Sequence, residues 1–487
     1  MRLFPSMVVV TLLWPAGMYA RPLPAPEPQD SPRQSGPAAG FLLGPAAMAM
    51  STQDPVLGGV PAGPRSQEML VLSLADVINR GLRYNLAGVL SAEATRAAHG
   101  TRQRALSRFL PNLTAGIGES INQVNLNAMG FGGFPGAPTV VGPFSVFDTR
   151  LFLTQSILDV KALNNLRSET EQEQAAELSY QSIRNRIVSV CGELYLQALA
   201  GKSRIDAVRA HVRTAQELYD LALDRRQAGV VAGIDVVRAQ VELQAQQQRR
   251  ITADNDFEKQ KLNLARAIGL PPGQRFDFAD ALSYAAFTPL PLEEGVQQAY
   301  RDRADFQSAR ARVQAAEYAK KAAEAERLPT LQTAANYGVN GPAPGQTHGS
   351  FVVAAKLQFP IFDGGRTGAA ILEADAALKQ RQAELEDLRG RIYYELQAAF
   401  LDLEAAAQSV KVARSSAQLA EDQLDQAQDR FSAGVAGNIE VVQAQEALVI
   451  ATDSYIESLF AHNIAKGRIA QILGVAESSF IQFLRGN

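Results

Sequence analysis

Residues 225–240 read RRQAGVVAGIDVVRAQ, and residues 430–445 read RFSAGVAGNIEVVQAQ. A shift of 205 places Arg225 on Arg430, Gly229 on Gly434, and Ile234-Asp235-Val236-Val237 on Ile439-Glu440-Val441-Val442. Ala239-Gln240 then falls on Ala444-Gln445. Each copy lies between two long apolar-periodic segments, which is the position of the turn in a helical hairpin. Two copies of one hairpin imply an internally duplicated chain. That restricts the fold more than length does, since 487 residues alone would suggest about three domains.

The helical segments are long. Residues 157–228 contain no proline, and at about 1.5 Å per residue they would span roughly 105 Å. Apolar or small residues recur at spacings of three and four: Ile183, Ile187, Val190, Leu194, Ala198, Gly201, Ile205, Val208, Val212, Ala215, Tyr219 and Ala222. The second copy, residues 368–433, keeps this register with Ile392, Ala399, Leu403, Ala406, Val410, Ala413, Ala417, Ala420, Leu424 and Ala427. Such spacing makes a coiled-coil seam, and its alanines favour close helix approach. One additional step of four, from Leu194 to Ala198, pulls the average repeat toward the unstrained helix, so supercoiling should be weak there. Residues 234–268 and 439–473 return as helices ending at Gly269 and Gly474, the residue type expected just past a helix end.

Ahead of each long helix comes a different pattern. Residues 72–109 read as one helix, capped by Ser73 with Asp76 and ended at Leu110-Pro111, and residues 290–328 repeat it. After each Leu-Pro the period becomes two. Leu331, Thr333, Ala335, Tyr337 and Val339 alternate with Gln332, Ala334, Asn336, Gly338 and Asn340. Phe351, Val353, Ala355, Leu357 and Phe359 likewise alternate with Ser350, Val352, Ala354, Lys356 and Gln358. These are strands of about ten residues, long enough to cross a bilayer when tilted. Residues 112–122 and 144–155 supply the counterparts in the first half, joined by a longer Gly-rich loop at 130–136.

The same alternation suits a half-buried soluble sheet, but here the four strands lie between very long helices and have no other sheet to pack on. Four strands cannot close a barrel, and open edges are not tolerated in lipid. Several chains must share one wall; two would give eight strands and little bore, three would give twelve and room for a channel.

At the N-terminus, Arg2 precedes an apolar run over residues 7–14, with small residues around Ala16-Gly17 and Ala20. This is the outline of a secretory signal over residues 1–20, with cleavage near Ala20 or as late as Ala49. Residues 21–69, rich in Pro and Gly, are expected to form a disordered arm. No run of 18 apolar residues follows, so no membrane-spanning helix is expected.

No catalytic motif, cofactor loop or metal-ligand spacing is present, and the expectation is that the protein is not an enzyme and holds no metal or cofactor. The histidines at 99, 211, 348 and 462 are scattered. Cys191, the one cysteine, cannot form an intramolecular disulfide and sits in the helical seam as a packing residue. A net charge of −3 gives no reason to expect a nucleic-acid partner.

The candidate functional residues lie at the hairpin tips. Gly229-Val230 and Gly434-Val435 put apolar side chains at the extreme end of a rod, where a partner could dock on them. An ordinary glycine-containing helix turn accounts for the same residues. Asp235 and Glu440 fall in the first turn of the returning helices, either as plain helix-dipole acids or as an acidic ring at the closed end of a tube. Asn438 is placed to cap the second of these helices. Arg225, Arg430 and Phe431 are candidates for packing the tips together.

The order of signal, helix, strand pair, long helix, R-x-x-x-G-V tip and return helix, then repeated, resembles the TolC-type outer-membrane efflux family. The phrase FPIFDGGRTGAA at 359–370 and the repeated [DE]-V-V-x-A-Q of the tips carry the likeness over residues 70–475. The resemblance implies a fold that is mainly α with a membrane β-barrel portion. Duplicated helical hairpins would form a coiled-coil tunnel, and four strands per chain would close a twelve-stranded barrel in a homotrimer. The repeats would be residues 70–275 and 276–487. It further implies an exit duct in the outer-membrane lipid, opened when a periplasmic adaptor protein contacts the tips and driven by an inner-membrane pump. The rival reading is a soluble periplasmic coiled-coil scaffold. By the same resemblance Gly229 and Gly434 are the tip glycines, and Asp235 and Glu440 the tunnel acids. The chain departs from the family where some members carry a second tunnel acid, having Arg238 and Gln443 there. It also has Phe431 and Ala436 where some members lock the tip with tyrosine and arginine, and no cysteine near its N-terminus for a lipid anchor.

Overall fold

The structure, a computed structural model, describes residues 54–128, 130 and 138–485. The expected signal segment, the arm as far as residue 53 and most of the Gly-rich loop lie outside the described residues.

Two helices dominate: α3, Val160–Gln227, and α7, Arg366–Ser432. Each returns through a shorter helix, α4 at Gly233–Ala267 and α8 at Asn438–Ile472. Every seam position named for α3 is at least partly buried, and Ile392, Ala399, Leu403, Ala406, Val410, Ala420, Leu424 and Ala427 of α7 are buried. The three-and-four spacing is therefore the packing seam.

Ahead of them, the expected helix over 72–109 is two helices. A short strand β1, Leu70–Leu72, leads into α1, Leu74–Tyr84, and α2, Leu86–Leu106. Ser73 and Asp76 form the capping box that starts α1. The break falls at Asn85, which is fully buried. Its Nδ2 donates to the carbonyls of Val56 (2.6 Å) and Ala267 (3.0 Å), while its Oδ1 accepts from Ala87 N–H and so caps α2. No proline or glycine marks the position, so local pattern runs straight through it. The second half breaks in the same place: α5, Leu292–Asp302, gives way to α6, Ala304–Glu324, at Arg303. The Arg303 guanidinium there binds Asp305 at 2.7 Å and Glu395 at 2.8 Å.

A further departure is the segment just before β1. The disordered arm was expected to run to residue 69, yet residues 54–69 are tied to the helical body. Val60 N–H donates to Tyr84 O (2.7 Å), Leu86 N–H to Gly58 O (3.0 Å) and Ser66 N–H to Gln274 Oε1 (2.8 Å). Two elements were not expected at all. Strand β4, Phe276–Phe278, pairs in parallel with β1, and helix α9, Ala476–Arg485, follows α8. Both belong to one hydrophobic core, where Val77, Ile187, Tyr195, Leu264, Phe276 and Phe480 meet. Cys191 is buried there, and burial pushes its thiol up to about 12, which suits packing and not nucleophilic chemistry.

The four longer strands form one antiparallel sheet in the order β2-β3-β5-β6: Asn112–Asn125, Val140–Leu158, Thr330–Gly341 and His348–Gln358. β3 and β5 run further at both ends than the alternation alone marks, β2 only at its end and β6 only at its start. The outer edges of β2 and β6 are unpaired. Leu113, Ile117, Ile121, Tyr337, Phe351 and Val353 stand exposed on one face. The passage from strand to helix is set by carboxylates. Asp159 accepts from Ala162 N–H (2.8 Å) at the start of α3. Asp363 accepts from the Gly365 and Thr367 N–H groups before α7, after Gly364 and Gly365 have turned the chain at φ +67° and +89°. The Phe-Asp-Gly-Gly phrase is thus a cap and a left-handed turn.

Candidate functional site at the helical tips

Both tips end their long helix in the same way. Gly229 and Gly434 each adopt φ +75°. Val230 N–H reaches back to Arg225 O (2.9 Å) and Gly229 N–H to Arg226 O (3.0 Å). Val435 and Gly434 repeat this with Arg430 O (3.0 Å) and Phe431 O (3.1 Å). This paired closure is the Schellman arrangement, and it requires a left-handed residue that glycine supplies without penalty. The tip glycines are therefore explained by backbone geometry, whatever docks on them. Val230 and Val435, next along, are 66% and 69% exposed.

The two tips touch. Arg225, near the end of α3, donates from Nη1 to Phe431 O (2.5 Å) and from Nη2 to Ser432 O (2.6 Å). Its guanidinium also lies 4.7 Å from the centre of the Phe431 ring. Phe431 is 2% exposed and packs with Leu218, Leu424, Ala427, Val441 and Ala444. From the other side, Asn438 Nδ2 donates to Asp235 O (2.8 Å). Asn438 was expected to cap α8; Gly437 occupies the cap position instead, and the Asn438 side chain crosses to the first tip. That role, and the reach of Arg225 to carbonyls more than 200 residues away, left no local signal in the chain.

The acids lie where the first helical turns put them, and each meets a cation. Asp235 is 3.4 Å from Arg238 Nη1, and Glu440 is 3.5 Å from Arg430 Nε. Counting Asp224, Asp235, Asp429 and Glu440 against Arg225, Arg226, Arg238 and Arg430, the two tips together are neutral. Among the described residues no cluster of side chains could hold a metal ion.

Set beside known proteins, the sequence matches the family described as outer membrane efflux protein twice, over residues 89–270 and 295–475. The two matches take in most of the chain. It belongs to the outer membrane efflux protein family. Among its relatives, the alkaline protease secretion protein AprF of Pseudomonas aeruginosa is 22% identical over 354 residues, 71% of this chain and 73% of that protein. The pyoverdine export outer membrane protein OpmQ of Pseudomonas putida is 27% identical over 208 residues, 42% of this chain and 43% of that one. Solved structures share the fold. The Vibrio cholerae outer membrane protein VceC superposes with a TM-score of 0.71 at 18% identity, covering 82% of this chain and 96% of its own. The Campylobacter jejuni CmeC outer membrane channel gives 0.72 at 15%, covering 89% and 96%. An outer membrane efflux protein is a passive conduit of the outer membrane with a helical extension on the periplasmic side, not an enzyme and not a soluble scaffold. As a component of an efflux or secretion system it works with other proteins of that system.

Proposed function

We propose that this outer membrane efflux protein acts as a homotrimer. Three copies would contribute four strands each to a twelve-stranded barrel, and their helical hairpins would form one continuous periplasmic tunnel. The observation that carries this reading is the four-stranded sheet. It has unpaired edges on β2 and β6 and an apolar outer face that includes Ile117, Ile121, Phe351 and Val353. Unpaired edges cannot face lipid, so the edge of one copy must meet the edge of the next. The apolar face is then the surface in contact with outer-membrane lipid.

The tips are the gate. Val230 and Val435 would meet a periplasmic adaptor protein coupled to an inner-membrane pump, while Arg225 and Asn438 hold the tips closed in its absence. Glu440 and Asp235 would ring the tunnel end, with Arg238 and Arg430 restraining their charge. Relatives named for protease secretion, pyoverdine export and toluene efflux share this outer component, and nothing at the tips selects one cargo.

Replacing the exposed Val230 and Val435 with aspartate tests the docking role while leaving the turn glycines in place. The expected result is loss of export while the trimer remains in the membrane fraction. Export at the normal rate, with the variant trimer intact, would refute it.

A further inference from the structure

Arg150 stands in the middle of β3, where register sets it opposite Gly116 of β2 and Gly338 of β5, with Ser350 of β6 completing the row. A Cβ at Gly338 would clash with the backbone Thr149 O and fall 2.5 Å from Arg150 Cγ and 2.7 Å from Arg150 Cα, so both the β3 backbone and the arginine stem require a glycine there. The arginine side chain therefore lies across β5, over a glycine that a strand interior would otherwise disfavour.

Strand periodicity assigns the face. Arg150 shares its side of the sheet with Asn112, Thr154, Gln332, Asn336 and Lys356, while Leu113, Ile117, Tyr337 and Val353 occupy the other. Asn112, Thr154, Gln332 and Lys356 line a hollow of about 580 Å³ on the polar side. In the barrel proposed above, on which this inference rests, that side is the lumen. The ionisable groups that the four strands place there are Arg150, Lys356, Asp148 and His348, whereas Glu119 lies on the opposite face. Asp148 accepts from Arg150 Nε (2.7 Å), and Nη1 lies 3.4 Å from Asn336 Oδ1. No acceptor for Nη2 is found among the described residues.

We infer that Arg150, with Lys356 nearer the helices, makes a cationic collar inside the barrel that favours anionic solutes. Arg108 and Asp159 also line the hollow, so two carboxylates answer three permanent cations per chain, and the collar carries net positive charge however many copies close the wall. Within a Debye length of the axis, like charges from several copies act together on a passing ion. The tips give no such bias, being neutral in sum.

The test uses the purified full-length protein in planar lipid bilayers, with inorganic pyrophosphate added to the chamber facing the barrel mouth. The native channel should be blocked. Arg150→Gln should weaken the block about fivefold or more, the scale that several unit charges near the axis give in water. Arg150→Lys, which keeps the charge and loses the planar fork, should stay within about twofold of native. An unblocked native channel, or equal block in native and Arg150→Gln, would overturn the inference. So would an Arg150→Lys variant that loses block as fully as the glutamine variant, since shape and not charge would then be responsible. A protein that forms no conducting channel even when Arg225→Ala has released the tips would defeat the barrel reading itself.

Discussion

At the first tip Gly229 ends α3 with φ +75°, and at the second Gly434 ends α7 with the same angle and the same pair of returning hydrogen bonds. The side chains mounted on this shared backbone do different things. Phe431 is buried at the second tip; its counterpart 205 residues earlier is Arg226, which is exposed. Arg225 crosses to the other tip, whereas Arg430 stays on its own hairpin with Glu440. Asn438 also crosses, and its counterpart Gly233 has no side chain to send. Duplication preserved the turn, and divergence converted two equal turns into two that each send a different donor to a carbonyl of the other. A pair of identical tips could not have done this with one residue set, because the same side chain would be needed both in the core and at its rim.

Substitutions at equivalent positions test that asymmetry, with amide exchange over residues 218–239 and 424–444 as the measure of local opening. The largest effect is expected from Phe431→Ala, which removes a buried aromatic and should cost about 3–5 kcal/mol. Arg226→Ala at the matching site should stay within about 0.5 kcal/mol. Equal losses would mean that the tips are not divided into core and rim. Next comes Arg225→Ala, which breaks two charge-assisted hydrogen bonds and should cost about 1.5–3 kcal/mol. Arg430→Ala disrupts only an exposed ion pair and should cost less than about 1 kcal/mol. Arg225→Ala should also raise single-channel conductance, which Arg430→Ala should leave alone.

Gly229→Ala and Gly434→Ala sharpen the other side of the comparison. Each forces a Cβ into the left-handed region where nothing lies within 4 Å of it, so each should cost about 1–2 kcal/mol and the two should agree. A clear difference would show that one turn is strained by its surroundings. Of the residues that bridge the tips, Asn438 should matter least: Asn438→Ala should cost about 0.5–1.5 kcal/mol, since one neutral hydrogen bond is lost. It should loosen the first tip as well as the second, because the acceptor is the carbonyl of Asp235.

Much of the architecture could be read along the chain. The seam of α7 from Ile392 to Ala427 is written as apolar residues at three-and-four spacing, and the strands as alternation from Leu331 to Val339. Both are local periodicities of a regular backbone, so they survive without knowledge of neighbours. The tip glycines were legible for the same reason: a Schellman turn needs a left-handed residue at one place. Asn85 shows where this kind of reading stops. Its neighbours carry an unbroken helical pattern, and the helix ends there only because Val56 and Ala267 bring carbonyls to its side chain. The β1–β4 pair joins segments about 200 residues apart, each three residues long and too short to declare itself.

The candidate site divides along the same line. From the sequence by itself came the existence of two tips, the need for glycine at each, the acids in the following turn and the two faces of the strands. All of these depend on where a residue stands in a repeating backbone. Only the tertiary structure decided that Arg225 and Asn438 bridge the tips, that Glu440 meets Arg430 across its turn, and that Arg150 lies over Gly338. Each of those contacts joins groups whose partner is set by how the elements pack, and a side chain's reach across a packed surface is not encoded in the period of either element.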